Sequence, residues 1–288
     1  MTITIGVHNS NPTLYYLSRL DYAQQELAAV GETAVFHAYV NGVRTGELLT
    51  EGVIDFGGTG STPPVTAQAA GHDIVYTAVS APRPDHGALL VPEDSPVRTV
   101  ADLKGGTVHL AVGSWQTHLV AKALDDAGLS YATDITAVRG DEHSEKLLRS
   151  GEITAWVAQG AQLVAAVRAG DVRVLVRTGD VISDRSVFFT RRDLAEQRPD
   201  VIDALTRALQ RADDWAKANP REAAEIAAAH QGGTADDWET ALRALPWRIE
   251  AVGDDFLTEQ QQGADVFHRT GFIERPVTVA DAVARKAA

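Results

Sequence analysis

The residues best suited to chemistry without a metal or a thiol lie in the run DFGGTGSTPPVTAQAA, residues 55–70. Gly57, Gly58 and Gly60 alternate with Thr59, Ser61 and Thr62, and Pro63 and Pro64 lead into small residues ending at Ala69 and Ala70. Glycine admits backbone geometries and close ligand approach that a side chain forbids. Thr62 is suited to cap a helix, and a proline in the first helical turn forfeits no hydrogen bond. The spacing predicts a strand over 53–56, a polar loop, and then a helix N-terminus. Its free N–H groups and hydroxyls would receive an anion. An ordinary strand-to-helix turn has the same spelling, so spacing alone leaves both readings open.

A second candidate constellation stands at Ser114, Trp115, Gln116 and Thr117, where Ser114 can cap a helix whose apolar period runs through Leu119, Val120, Ala123 and Leu124. Its N–H groups, hydroxyls and amide could likewise receive an anion. Trp115 would either close over an apolar tail or pack against its own lobe. Asp184-Arg185 offers a bidentate cation or a structural ion pair. Nine histidines are scattered without metal-ligand spacing, and cysteine is absent, so no metal, cofactor or thiolate nucleophile is expected.

The elements that must position these groups follow from periodicity. Residues 2–7, 35–40, 53–56 and 72–79 read as strands separated by helical stretches, a βαβαβ pattern that argues a parallel sheet under helices. One helix is expected over Leu14, Leu17, Leu20 and Tyr22. Pro82 and Pro84 break the pattern, and a second α/β set follows, with strands near 87–91, 107–112, 135–138, 153–158 and 172–176. Residues 186–190 read as a return strand, and a helical tail follows, in which Thr234 and Asp237 form a capping pair. No internal repeat is visible in the sequence. The domains expected are 1–81 with 185–288, and 82–184.

Composition narrows the class. The chain has 288 residues, 44% of them apolar, and carries 39 acidic against 26 basic side chains for a net charge of −13. No Lys/Arg run offsets that charge, so nucleic acid and anionic membranes are not expected partners, and no window is long and apolar enough for a membrane span. A monomer is expected. Residues 2–7 enter a strand at once, without a basic or apolar leader. A site on the cell-envelope side fits if a leader has been removed, and the cytoplasm fits if Met1 is the native start.

The run D-F-G-G-T-G-S-T-P-P, with A-Q-A-A-G and I-V-Y after it, resembles the aliphatic-sulfonate, taurine and nitrate-binding proteins of bacterial ABC importers. The likeness extends through V-P-E-D-S-P, T-V-A-D-L-K-G, G-S-W-Q-T-H, G-E-I-T-A-W-V, D-R-S-V-F-F-T, D-D-W-A-K-A-N-P and E-Q-Q-Q-G-A-D-V-F. It implies a type II periplasmic-binding-protein fold of two α/β lobes joined by two crossings, with a ligand cleft between them. It also implies a small organic anion as ligand, an ABC permease as partner, and cleft-edge roles for Asn11 and Ser80, each of which turn chemistry would also explain. Where the family carries an aromatic residue and an Asp-Pro pair, this chain reads Gln159-Gly160. The resemblance therefore implies a wider, neutral floor suited to an extended or aromatic tail.

The same fold serves a desulfinase that uses a cysteine, a histidine and an arginine before Gly-Gly. Here Ser10 stands near the cysteine's place, His8 and His37 are the nearby imidazoles, and Asp55 replaces the arginine. A serine needs an activating base to act as a nucleophile. Histidines on a strand face and in a turn are the plainer reading, but His8, Ser10 and His37 remain the catalytic candidates of an enzymatic alternative.

Overall fold

Alternating Ile3, Ile5 and Val7 make the first strand, β1 (Thr2–Val7), of the computed structural model, which describes residues 1–284. It is followed by β2 (Thr33–Ala38), β3 (Phe56–Thr59), β4 (Ile74–Ser80), β5 (Gly87–Pro92), β6 (Thr107–Leu110), β7 (Thr136–Arg139), β8 (Ala155–Gln159), β9 (Val172–Arg177), β10 (Val187–Arg191) and β11 (Ile249–Glu250). The central strands are buried on both faces, as expected where helices cover a sheet on each side.

Two sheets result, in the orders β11-β4-β10-β3-β1-β2 and β7-β6-β8-β5-β9. With β11 set aside, they share one topology. In each, the first strand after a crossing runs antiparallel between two others: β5 lies between β8 and β9, and β10 between β3 and β4. The remaining core pairings, β1 with β2 and β3, and β6 with β7 and β8, are parallel. The fold thus repeats without a sequence repeat, because a topology fixes burial and strand direction rather than residue identity.

We propose lobe boundaries after residues 81 and 184, where the chain crosses between sheets. Arg83, on the first crossing, bonds Asp184 on the second through Nη2 to Oδ1 (3.0 Å) and through Nε to its backbone oxygen (3.3 Å). His86 Nδ1 stands 2.7 Å from Asp184 Oδ2. Burial opposes ionisation of Asp184, but Arg83 and His86 outweigh it and hold the carboxyl below its ordinary range. Removing one partner of such a buried cluster would strand a charge. The Asp–Arg pair expected between neighbours 184 and 185 is therefore made with Arg83 instead.

The tail covers both lobes. Val201, Leu205, Leu209 and Ala212 on the helix Pro199–Ala218 pack with Ile3, Ile5, Leu14 and Leu17 of the first lobe. The helix Asp254–Arg269 lies against the second-lobe helix Trp115–Asp126, and the helix Ala235–Arg243 against Gly160–Ala169. No helix among the described residues is long and apolar enough to cross a membrane.

Two local expectations are corrected. The single helix over Leu14–Tyr22 is split into Pro12–Leu17 and Tyr22–Ala28, because Ser18 ends the first by turning its hydroxyl back onto the Tyr15 carbonyl (2.9 Å). Gly57 and Gly58 lie in β3 rather than in a loop, paired with Phe189 and Phe188 of β10. A Cβ on Gly58 would stand 2.5 Å from Phe188 Cδ1, so close packing, and not a turn, requires glycine there.

Candidate ligand cleft

Parallel strands carry their C-terminal ends to one edge, and in this fold the edges of both sheets meet. A cavity of about 620 Å³ opens there, reached by His8 after β1, Thr59 ending β3, Leu110 ending β6, Arg139 ending β7 and Gln159 ending β8. Open α/β sheets place ligands in such crevices.

The second-lobe wall is locked before any ligand arrives. Ser114 Oγ caps the helix Trp115–Asp126 by accepting from the Gln116 N–H (3.1 Å). Gln116 Oε1 accepts from the Ala111 N–H (2.7 Å), while its Nε2 donates to Gln159 Oε1 (3.1 Å), which also accepts from Trp115 Nε1 (3.2 Å). The positive end of a helix dipole therefore borders the cavity on side chains that cannot swing. Trp115 is 4% exposed and wedges between the lobes, with its ring centroid 5.1 Å from that of His86. A Cβ on Gly60 would come within 2.7 Å of Trp115 Cβ, so glycine is what lets the first lobe approach.

On the first-lobe wall, Thr59 Oγ1 donates to the Gly60 carbonyl (2.8 Å). His8 Nε2 stands 2.9 Å from the Gly58 carbonyl, which fixes the proton on that nitrogen and leaves Nδ1 without a partner among the described residues. Burial lowers its pKa despite that bond, so His8 presents a neutral ring. The cation of the site is Arg139. Its one protein bond runs from Nη2 to the Val112 carbonyl (3.2 Å), and among the described residues it pairs with no carboxylate. Asp141 lies at the same rim, where its Oδ1 accepts from the His143 N–H (2.9 Å). Arg139 is absent from the residues singled out by motif; its one sequence signal is an arginine ending a parallel strand just before Gly140.

The cavity, the helix start and the shared strand order find relatives. Residues 35–223 match the family described as NMT1/THI5 like. A protein of Escherichia coli (strain K12), provisionally named an aliphatic sulfonates-binding protein, is 32% identical over 81% of this chain and 73% of its own length. The chain belongs to the NMT1/THI5-like family. Among solved structures, the periplasmic aliphatic sulphonate binding protein of Escherichia coli superimposes with a TM-score of 0.85 at 28% identity, over 99% of this chain and 92% of that one. The alkanesulfonate-binding protein of Xanthomonas axonopodis pv. citri, bound to MOPS, does so with a TM-score of 0.83 at 26% identity, over 99% and 98%. The type II periplasmic-binding-protein fold is thereby established.

In this NMT1/THI5-like chain, Thr59, Gly60, Ser114, Trp115, Gln116 and Gln159 line the cavity together. The other candidates lie elsewhere. Ser61 Oγ faces His118 Nδ1 (2.9 Å) behind the cleft, and Ser61 rather than Thr62 occupies the N-cap position, without a side-chain cap bond. Thr62 instead donates across the lobes to the Ser114 carbonyl (2.7 Å). Thr117 is fully buried and accepts from the Gly113 N–H (2.8 Å). Asn11 caps the helix Pro12–Leu17 through the Leu14 N–H (3.0 Å).

Ser80 accepts from the Ser186 N–H (2.9 Å) at the crossing. Arg185 turns both terminal nitrogens to protein acceptors, the Ser80 carbonyl (2.9 Å), Glu250 (2.5 Å) and Asp255 (2.6 Å), so its fork is occupied, while its Nε has no partner among the described residues. His37 sits on the edge strand β2 against Tyr39, with centroids 6.5 Å apart. Ser10 is exposed at the cavity edge, and among the described residues neither His8 nor His37 hydrogen-bonds it.

Proposed function

We propose that this protein captures a small organic sulfonate between its lobes and presents it to an ABC permease, as a solute-binding protein of an importer on the cell-envelope side, working as a monomer. The observation that carries this is Arg139, a guanidinium that pairs with no carboxylate among the described residues, at the rim of a cavity whose lining, Asp141 apart, is otherwise uncharged and includes a helix start. A sulfonate is ionised at every physiological pH and offers three acceptor oxygens, so donors that do not titrate suit it. The relatives' names and the MOPS bound to one of them, itself a sulfonate, support the same class of ligand. Ser10 without an activating base supports capture over catalysis. Capture would draw the lobes together about the Arg83–Asp184 crossing.

Calorimetry with butanesulfonate, ethanesulfonate and sulfate is the test. Sulfonate binding is expected, and Arg139→Ala should weaken it by about ten- to a hundredfold, the loss of a charge-assisted pair worth roughly 1.5–3 kcal/mol. Failure of every sulfonate to bind would overturn the reading. Unchanged affinity in Arg139→Ala would remove this residue from the site.

A further inference from the structure

A second cavity, of about 380 Å³, lies between the second-lobe helix Gly160–Ala169 and the tail helix Ala235–Arg243. Its walls are apolar: Tyr15 on the first lobe, Leu163, Val164 and Val167 on one helix, and Trp238 and Leu242 on the other. It shares two lining residues, Ser10 and Gln159, with the cleft that holds Arg139. We propose that this cavity receives the apolar tail of a sulfonate whose head sits in the cleft, so that the C-terminal helices form part of the ligand site and select long or aromatic tails. The inference rests on the sulfonate reading and deepens it.

Charge placement gives the ligand its direction. The cations around the apolar cavity are already paired: Arg168 with Asp237 (2.5 and 3.1 Å) and Arg177 with Asp85 (3.8 Å). Among the described residues, Arg139 in the cleft has no such partner. An anionic head therefore gains most in the cleft, and only an uncharged tail gains in the second cavity, where buried apolar area is the available driving force. Gln159 is held by Trp115 and Gln116 on the cleft side, so a tail crossing from the cleft would pass between a fixed amide and the exposed Ser10.

Gly160 makes the room. Its φ is +56°, and a Cβ there would press on the Trp238 ring at 3.3 Å. Because the cavity is closed by the tail on one side and by the second lobe on the other, a tail filling it would also join those parts. The Arg168–Asp237 pair already bridges them.

The test is a series of straight-chain sulfonates from ethane- to hexanesulfonate, titrated into the unmodified protein and into Val164→Trp and Leu245→Trp, which fill the cavity from opposite walls. Affinity is expected to rise about fourfold per added methylene in the unmodified protein. The rise should flatten in both variants while ethanesulfonate binds as before. In hydrogen exchange on the unmodified protein, hexanesulfonate should protect residues 231–245 and ethanesulfonate should not.

A flat series in the unmodified protein would overturn the tail cavity and leave the head-group reading standing. A rise that persists in both filled variants, or equal protection by both ligands, would place the tail elsewhere and overturn it too. If no member of the series binds, the head-group reading falls, and this inference falls with it.

Discussion

Ser61 Oγ and His118 Nδ1 stand 2.9 Å apart, both buried, one on each lobe. Burial drives the His118 pKa down to about 4, with Asp184 pulling it up and Lys122 adding to the drop. The folded protein thus refuses a proton that the unfolded chain accepts near pH 6.5. Stability should be complete above that value and fall as the pH drops toward about 4, by up to roughly 3 kcal/mol from this group. His8 and His86 are also shifted down by burial and push the same way. Urea midpoints at about pH 7.5 and about pH 4.5 should therefore converge partly, not wholly, in His118→Gln. Equal losses in the two proteins would mean that His118 is not a source of the slope.

Gly60→Ala would put a methyl group 2.7 Å from Trp115 Cβ, an atom that no side-chain rotation moves out of the way. The expected result is lobes held apart: a larger radius of gyration at saturating ligand and an affinity lower by at least tenfold, as overpacking costs about 1–3 kcal/mol. Solution scattering and calorimetry read the two effects. Unchanged values would show that the Gly60 backbone or the first turn of the Trp115–Asp126 helix yields instead.

Asp213 titrates in the opposite sense. It is 1% exposed on the helix Pro199–Ala218 and accepts from Thr13 Oγ1 (2.7 Å), and burial pushes its carboxyl up to about 7. The folded state here holds a proton that the unfolded chain releases near pH 3.8. The cost of ionising it therefore grows between those values as pH rises and is complete above pH 7. Asp213→Asn, which keeps the acceptor for Thr13, should stabilise the protein by about 2–4 kcal/mol at about pH 8 and change little at about pH 4. The same stability change at both pH values would mark a steric effect and not a charge effect.

Much of the local structure was legible because its causes are local. The alternation of Ile3, Ile5 and Val7 gave β1. Ser114 and the Thr234–Asp237 pair cap the helices they precede, and Gly232 ends the helix before it. Gln159 and Gly160, read as a neutral stretch, both line the apolar cavity. The place of Arg139 in the cleft was not legible, because nothing in V-R-G-D says that its strand ends at the cavity that Thr59 and Gly60 also line. The Arg185 fork was misread for the converse reason: Glu250 and Asp255, which occupy it, lie 65 and 70 residues further along the chain.

By itself, the sequence determined most of the elements, the two crossings and the family, since periodicity, caps and motif spelling depend on neighbours a few residues apart. Only the tertiary structure decided which polar groups are free. Asp184 went to Arg83, Ser61 to His118 and Thr62 to the Ser114 carbonyl, while Arg139 pairs with no carboxylate among the described residues. The tail helices likewise became cavity walls only by packing on the second lobe. A buried donor or charge takes whichever partner the fold brings within about 3 Å, and that partner is set by long-range packing, which local sequence does not encode.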